Sequence, residues 1–162
     1  MKRILTSLIL TAVVLALTAP AAYALSMYGT WWKTSDDNAF GVTLQHRQNL
    51  TPLFALDGRV GWLAFSDTKA DIFPLELAGL VRLGIFYAGP GVGYYIFTGD
   101  ADLDNKLGYF LLGGVRVGLG AVGVYGEAKY GFLKTDVNFP GGGSAEVDLD
   151  HFGLHAGVFI GI

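Results

Sequence analysis

The chain contains no cysteine. That removes disulfides, thiolate metal sites and lipid attachment through a cysteine. Charged residues are scarce, at 15% of the 162 positions, against roughly 25% in an ordinary soluble domain. Beyond residue 24, no apolar run reaches the roughly 20 residues that a membrane helix needs. These shortages exclude a disulfide-stapled secreted domain and a helical membrane protein. The charge that is present leans acidic, with a net value of −3, or −5 once Lys2 and Arg3 are set aside. An acidic balance of that kind argues against nucleic acid as a partner.

Glycine and aromatic side chains are abundant. Residues 1–24 carry Lys2 and Arg3, the apolar run "ILTSLILTAVVLALTA", Pro20 and the small-residue ending "AYA". This plan predicts a secretory signal peptide over residues 1–24, cleaved after Ala24, ahead of one domain over residues 25–162.

That domain alternates with period two, the signature of strands. In "AFGVTLQHR", Phe40, Val42 and Leu44 alternate with Gly41, Thr43, Gln45 and Arg47; in "FALDGRVGWLA", Phe54, Leu56, Val60, Trp62 and Ala64 alternate with Asp57, Arg59 and Gly61. The pattern recurs in "PLELAGLVRL", in "YAGPGVGYYIFT" and in the closing "HFGLHAGVFIGI". About eight such segments are predicted, the first over Leu25–Thr34, each close to the 9–11 residues with which a tilted strand crosses a bilayer. One face of each is large and apolar. The other is glycine with isolated charges, too sparse for a solvated surface and suited to the cramped interior of a small closed barrel.

The hexapeptide "GLGAVG" at residues 118–123 matches G-x-G-x-x-G, with Asp136 further on. A dinucleotide site requires those glycines to open a helix. Here "LGYFLLGGVRVGL" before and "VYGEAKYGFL" after both alternate as strands, so the motif predicts a tight hairpin turn. Connector lengths then orient the barrel. The connections Asp36–Ala39, Asp67–Phe73, Gly99–Lys106 and Asp136–Glu146 are mostly longer than "NLTP", "GIF" and "GLGAVG". Long loops belong outside and short turns in the periplasm. Eleven of the fourteen acids lie in or beside the four longer connections, and the other three, Asp57, Glu76 and Glu127, fall on inward phases.

With "PLELAGLVRL", "GPGVGYY", "GEAKYGF" and a closing C-terminal strand, nearly all of residues 25–162 resembles the small eight-stranded outer-membrane barrels of Gram-negative bacteria, the OmpA/OmpX-like β-barrel domain family. The resemblance implies an all-β, transmembrane, antiparallel up-and-down barrel of about eight strands in the bacterial outer membrane, monomeric and without a cofactor. It implies contact with outer-membrane lipids and lipopolysaccharide, and delivery by periplasmic chaperones to the barrel-assembly machinery. The usual C-terminal assembly signal ends in an aromatic residue, whereas Ile162 stands here. The expected function is non-catalytic support of envelope integrity or surface interaction through acidic outer loops. A narrow porin-like channel and a lipid A-modifying enzyme are the alternatives.

Inside such a barrel, Asp57, Glu76 and Glu127 are expected to meet Arg59, Arg82, Arg116 and Lys129 in a structural charge network or, alternatively, a gate. A hairpin centred on Gly120–Ala121 predicts that Arg116 lies opposite Glu127. His151 and His155, four apart on a strand, are separated by about 13 Å, too far for one metal ion, and no metal site is assigned. "DADLDNK" begins like a calcium loop with Asp100, Asp102 and Asp104, but Asn105 replaces the required Gly and Leu111 the bidentate Glu. Those three acids remain candidates for loose cation or lipopolysaccharide contact. No catalytic residue is assigned: the serines beyond residue 24 are Ser26, Ser35, Ser66 and Ser144, none in a His-x-Ser motif, and Ser144 is expected in the flexible loop "PGGGSAE". Tyr28, Trp31, Trp32, Trp62, Tyr94, Tyr95, Tyr109 and Tyr130 are expected to include residues of an aromatic membrane-interface belt.

Overall fold

Alternation commits each segment to an extended backbone with two unlike faces, and the apolar face has nothing in the chain large enough to cover it. Eight strands resolve this by closing on themselves. The structure, a computed structural model, describes residues 23–35, 37–67, 70–99, 105–138 and 144–161. Most of the expected signal segment, and Asp100, Asp102 and Asp104, lie outside them.

The barrel strands are β1 (Tyr23–Lys33), β2 (Asn38–Asn49), β3 (Phe54–Phe65), β4 (Ala70–Leu83), β5 (Phe86–Gly99), β6 (Lys106–Leu119), β7 (Val122–Phe132) and β10 (His151–Gly161). Each pairs antiparallel with its neighbour in chain order, β7 pairs with β10, and β10 pairs with β1 from Ala24↔Gly161 to Lys33↔Phe152, which closes the ring. Pairing starts at Tyr23, opposite Gln48 of β2, so the first strand begins two residues before the expected Leu25. Closure leaves no free edge, as lipid requires of any backbone it surrounds.

The two tightest turns depend on glycine. Gly84–Ile85 joins β4 to β5 and Gly120–Ala121 joins β6 to β7, with Gly84 at φ 62° and Gly120 at φ 69°, in the left-handed region where a Cβ is penalised. The second turn is the "GLGAVG" hairpin. At the third, Thr51 Oγ1 accepts from the N–H groups of Leu53 and Phe54 at 3.2 and 2.9 Å.

Two connections differ from expectation. β4 starts at Ala70, so most of the segment read as the connection Asp67–Phe73 is strand, with Ile72 buried inside the barrel. Pro74 concealed this, because a proline inside a sheet usually marks a boundary. It is accommodated by a break in the β3–β4 ladder between Val60↔Leu75 and Leu63↔Ile72, while its other side stays opposite Tyr95 of β5. The second difference is the expected loop Asp136–Glu146. Here β8 (Lys134–Asn138) and β9 (Ser144–Asp148) pair as a separate hairpin, with Asn138 opposite Ser144, which places Ser144 on a strand and not in a flexible loop. The run of turn-forming "PGGGS" residues hid the short alternation on either side.

The outward face is apolar all round. Leu25, Phe40, Val42, Trp62, Tyr109, Leu111, Val124 and Val158 are all exposed, with Tyr109 at 61%. Such a continuous band in water far exceeds the few hundred Å² of apolar patch that a soluble monomer tolerates, and it matches the lipid-facing belt of a membrane barrel. The heat-modifiable gel shift of a closed barrel is therefore expected in detergent, with strand-dominated circular dichroism; a folded, detergent-free monomer is the contrary result. Gly120→Val should lower urea stability by about 1–2 kcal/mol through backbone strain alone, since a Cβ there meets nothing within 4 Å.

Candidate functional site in the barrel lumen

The inward phase assembles what the alternation promised and more. Asp57 and Arg59 on β3, Glu76 on β4, Glu127 and Lys129 on β7 are all at most 7% exposed and face one another across the lumen. Arg59 is the bridge. Its Nη1 and Nη2 donate to Glu127 Oε1 and Oε2 at 2.6 and 2.8 Å, and Nη2 also donates to Asp57 Oδ2 at 2.8 Å. A planar guanidinium matches this two-oxygen geometry as no ammonium does.

Two residues outside the expected set complete the Asp57 side. Arg47 on β2 donates to both Asp57 oxygens at 3.0 and 2.8 Å, and Gln45 Nε2 donates at 2.5 Å. The Arg47 guanidinium also lies 4.0 Å from the ring centre of Tyr87, whose hydroxyl donates to Glu127 Oε2 at 3.0 Å. The second pair is Lys129 with Glu76 at 2.5 Å, joined by the Tyr95 hydroxyl at 3.1 Å. The Lys129 ammonium sits 4.3 Å from the Trp32 ring centre. Three cations and three carboxylates thus cross-link β2, β3, β4 and β7. A charge left alone in such a site costs more than the pair contributes.

Arg116 is not part of this network. The register sets it opposite Tyr125 and sets Glu127 opposite Gly114, two residues away from the pairing expected from the hairpin. The turn does fall at Gly120–Ala121; a lumen this narrow lets Glu127 reach a more distant strand, and Arg59 takes it. Arg116 instead lies over the Phe159 ring, its guanidinium carbon 3.5 Å from the ring centre. Arg82 donates to Asn49 Oδ1 at 2.7 Å. Both stand toward the short-turn end, away from the acids.

Aromatic residues fill the rest of the lumen, and here the expected interface belt needs correcting. Tyr28, Trp32 and Tyr95 are inside, buried to 3%, 1% and 0% exposure, while Trp62, Tyr109 and Tyr130 face outward. Trp32 and Tyr95 pack with Leu63 and Ile72 near the long-loop end; Tyr87, Phe110 and Leu112 form a second cluster, Tyr28, Tyr125 and Phe159 a third. The signal available in the sequence was the glycine on the same inward phase. A Cβ at Gly91 would run into the Phe110 ring, at Gly93 or Gly108 into Tyr95, and at Gly131 into His151. His151 stacks on Trp32 at 3.9 Å, and His155 Nδ1 meets Thr30 Oγ1 at 3.1 Å, so the two histidines serve separate contacts.

At the long-loop rim, several acids are engaged in holding loops. Asp37 accepts from the N–H groups of Asn38 and Asp67, and Asp150 Oδ1 from that of Leu133 at 2.9 Å. Asp67 and Asp148 are exposed.

Comparison with solved structures follows this architecture. The outer membrane protein AlkL, solved in lipid bilayers, superposes with a TM-score of 0.71 at 19% identity, covering 88% of this chain and 90% of that one. The chain has the fold of the small outer-membrane barrels. Neisserial surface protein A gives a TM-score of 0.66 at 12% identity over 86% and 95% of the two chains, and the Yersinia pestis outer membrane protein Ail gives 0.52 at 11% over 88% and 99%. No family model and no curated protein matches the sequence.

Glu127→Ala should destabilise the barrel by about 3–5 kcal/mol by leaving Arg47 and Arg59 to share the single carboxylate of Asp57, one buried cation in excess. The double variant Arg59→Met with Glu127→Leu should recover much of that loss in urea titrations in detergent. Arg116→Ala combined with Glu127→Ala should be additive, because the two side chains do not meet.

Proposed function

We propose that this protein is a non-catalytic barrel of the bacterial outer membrane whose lumen is closed, and that it supports envelope integrity or surface interaction through its acidic outer connections. The observation that carries this reading is the bridge from β3 to β7: the Arg59 fork on Glu127, flanked by Arg47–Asp57 and Lys129–Glu76, crosses the lumen at its middle. Eight strands enclose little more than their own side chains. With the aromatic clusters on either side of the ionic layer, a hydrated solute meets a wall.

With the passage closed, contact with other molecules falls to the two ends. At the long-loop end, exposed Asp67 and Asp148 and the extended β8–β9 hairpin offer an acidic rim beside lipopolysaccharide phosphates, where a divalent cation can bridge like charges. The non-catalytic part of the reading is supported by where hydroxyl and imidazole meet: Thr30 and His155 are both buried at mid-lumen, beyond reach of a lipid ester. Nucleophilic catalysis requires that pair to be accessible to substrate.

In planar bilayers the refolded protein should give no resolved unitary conductance, while the double variant Arg59→Ala with Glu127→Ala, which cuts the bridge, should give a measurable leak. Discrete steady conductance steps from the unaltered protein would overturn the closed-lumen reading in favour of a narrow channel. Release of fatty acid from lipid A by the purified barrel, read by mass spectrometry, would overturn the non-catalytic one.

A further inference from the structure

The charge arrangement along the lumen is unequal. In the middle, three cations meet three carboxylates in direct contact. Toward the short-turn end, Arg82 and Arg116 follow on the same inward phase, and among the described residues neither makes an ion pair with a carboxylate. Both line a cavity of about 270 Å³ together with Arg47, Asn49, Tyr87 and Phe159. The cavity lies beside the Gly84–Ile85 turn and reaches Gly161 at the end of β10; at both glycines the position of an added Cβ is open space.

Both guanidinium groups are held in place. Arg116 rests on the Phe159 ring at 3.5 Å, and its backbone N–H donates to Ile85 O at 2.8 Å. Arg82 is tethered by one nitrogen to Asn49 Oδ1 at 2.7 Å. Each keeps further N–H donors, and fixing a long side chain beforehand removes much of the ordering cost of binding. We propose that this mouth is an oxyanion site that takes a phosphate group, with Arg82 and Arg116 as its ligands. Phosphate is favoured over a carboxylate because Arg82 and Arg116 line one cavity, and a phosphate, with more acceptor oxygens than a carboxylate, can take charge-assisted donors from both at once. With long loops outside, the mouth faces the periplasm. The group therefore comes either from a phosphate-bearing periplasmic solute or from an anionic phospholipid headgroup of the inner leaflet. The site does not depend on whether the lumen above it conducts.

The test uses the whole refolded barrel in phosphatidylcholine nanodiscs, titrated with inorganic phosphate and with pyrophosphate by calorimetry. Saturable binding is expected, weakened about tenfold, or about 1.4 kcal/mol, by Arg82→Gln or Arg116→Gln alone and lost in the double variant. Arg116→Lys, which keeps the charge and loses the fork, should recover only part of the affinity. The heat-modifiable gel shift verifies that each variant is closed. A parallel set in phosphatidylglycerol nanodiscs separates the sources. Unchanged phosphate binding there identifies a soluble ligand; binding suppressed by phosphatidylglycerol in the unaltered protein identifies the headgroup. Absence of saturable binding in phosphatidylcholine, or binding that persists in the double glutamine variant, overturns the proposal. Conductance in planar bilayers would overturn the closed-lumen reading and leave this measurement standing.

Discussion

A charge enclosed at the middle of eight strands has no water reservoir to answer it, so each ionised group there is obliged to find its partner within the ring. Arg59 meets that obligation for two acids at once, reaching Glu127 on the far wall while sharing Asp57 with Arg47. The rest of the interior is arranged around that crossing. Tyr87 and Gln45 take up remaining lone pairs of the same carboxylates, and Lys129 with Glu76 repeats the solution nearer the long-loop end. Electrostatics alone does not fill space. Trp32, Tyr95 and Phe110 close the gaps above and below, and inward glycines leave room for their rings.

The wall and its contents are therefore interdependent. An open sheet would leave β1 and β10 with unpaired backbone in lipid, where each unsatisfied group costs several kcal/mol. Closure removes that cost and creates the confined interior in which the ion pairs become necessary. Prolines test the limits of this wall. Pro74 breaks the β3–β4 ladder, and Pro90 sits where the β4–β5 ladder is interrupted between Ala78↔Gly91 and Val81↔Ala88. Both breaks are spanned by paired residues on either side, so the ring remains continuous.

The ionic crossing at mid-lumen lies between two chemically different ends. The long-loop rim is acidic, although Asp37 and Asp150 are occupied in pinning loops. The short-turn mouth is basic, with Arg82 and Arg116 around an open cavity. Likeness to AlkL, Neisserial surface protein A and Ail, at 11–19% identity, establishes the architecture. One architecture hosts many roles, so the functional reading rests on these sites and not on the fold.

Period-two alternation determined by itself that the chain is built of strands with one apolar face and one face of glycine and charge, and where the Gly120–Ala121 turn falls, because side-chain direction along a strand is a local property. The charged residues of the lumen were legible for the same reason. Their partners were not. Glu127 is 68 positions from Arg59 in the chain, and only the order of strands around the closed ring brings β3 and β7 face to face. The sequence alone does not separate the buried Trp32 and Tyr95 from belt residues, because aromatic rings suit both an interface and a packed interior. Phase alone separates the two, and only closure reveals which phase has room. Arg47 joined the network, and Arg116 left it, by the same rule: contact across a lumen is set by circumference and stagger, quantities that no stretch of sequence contains.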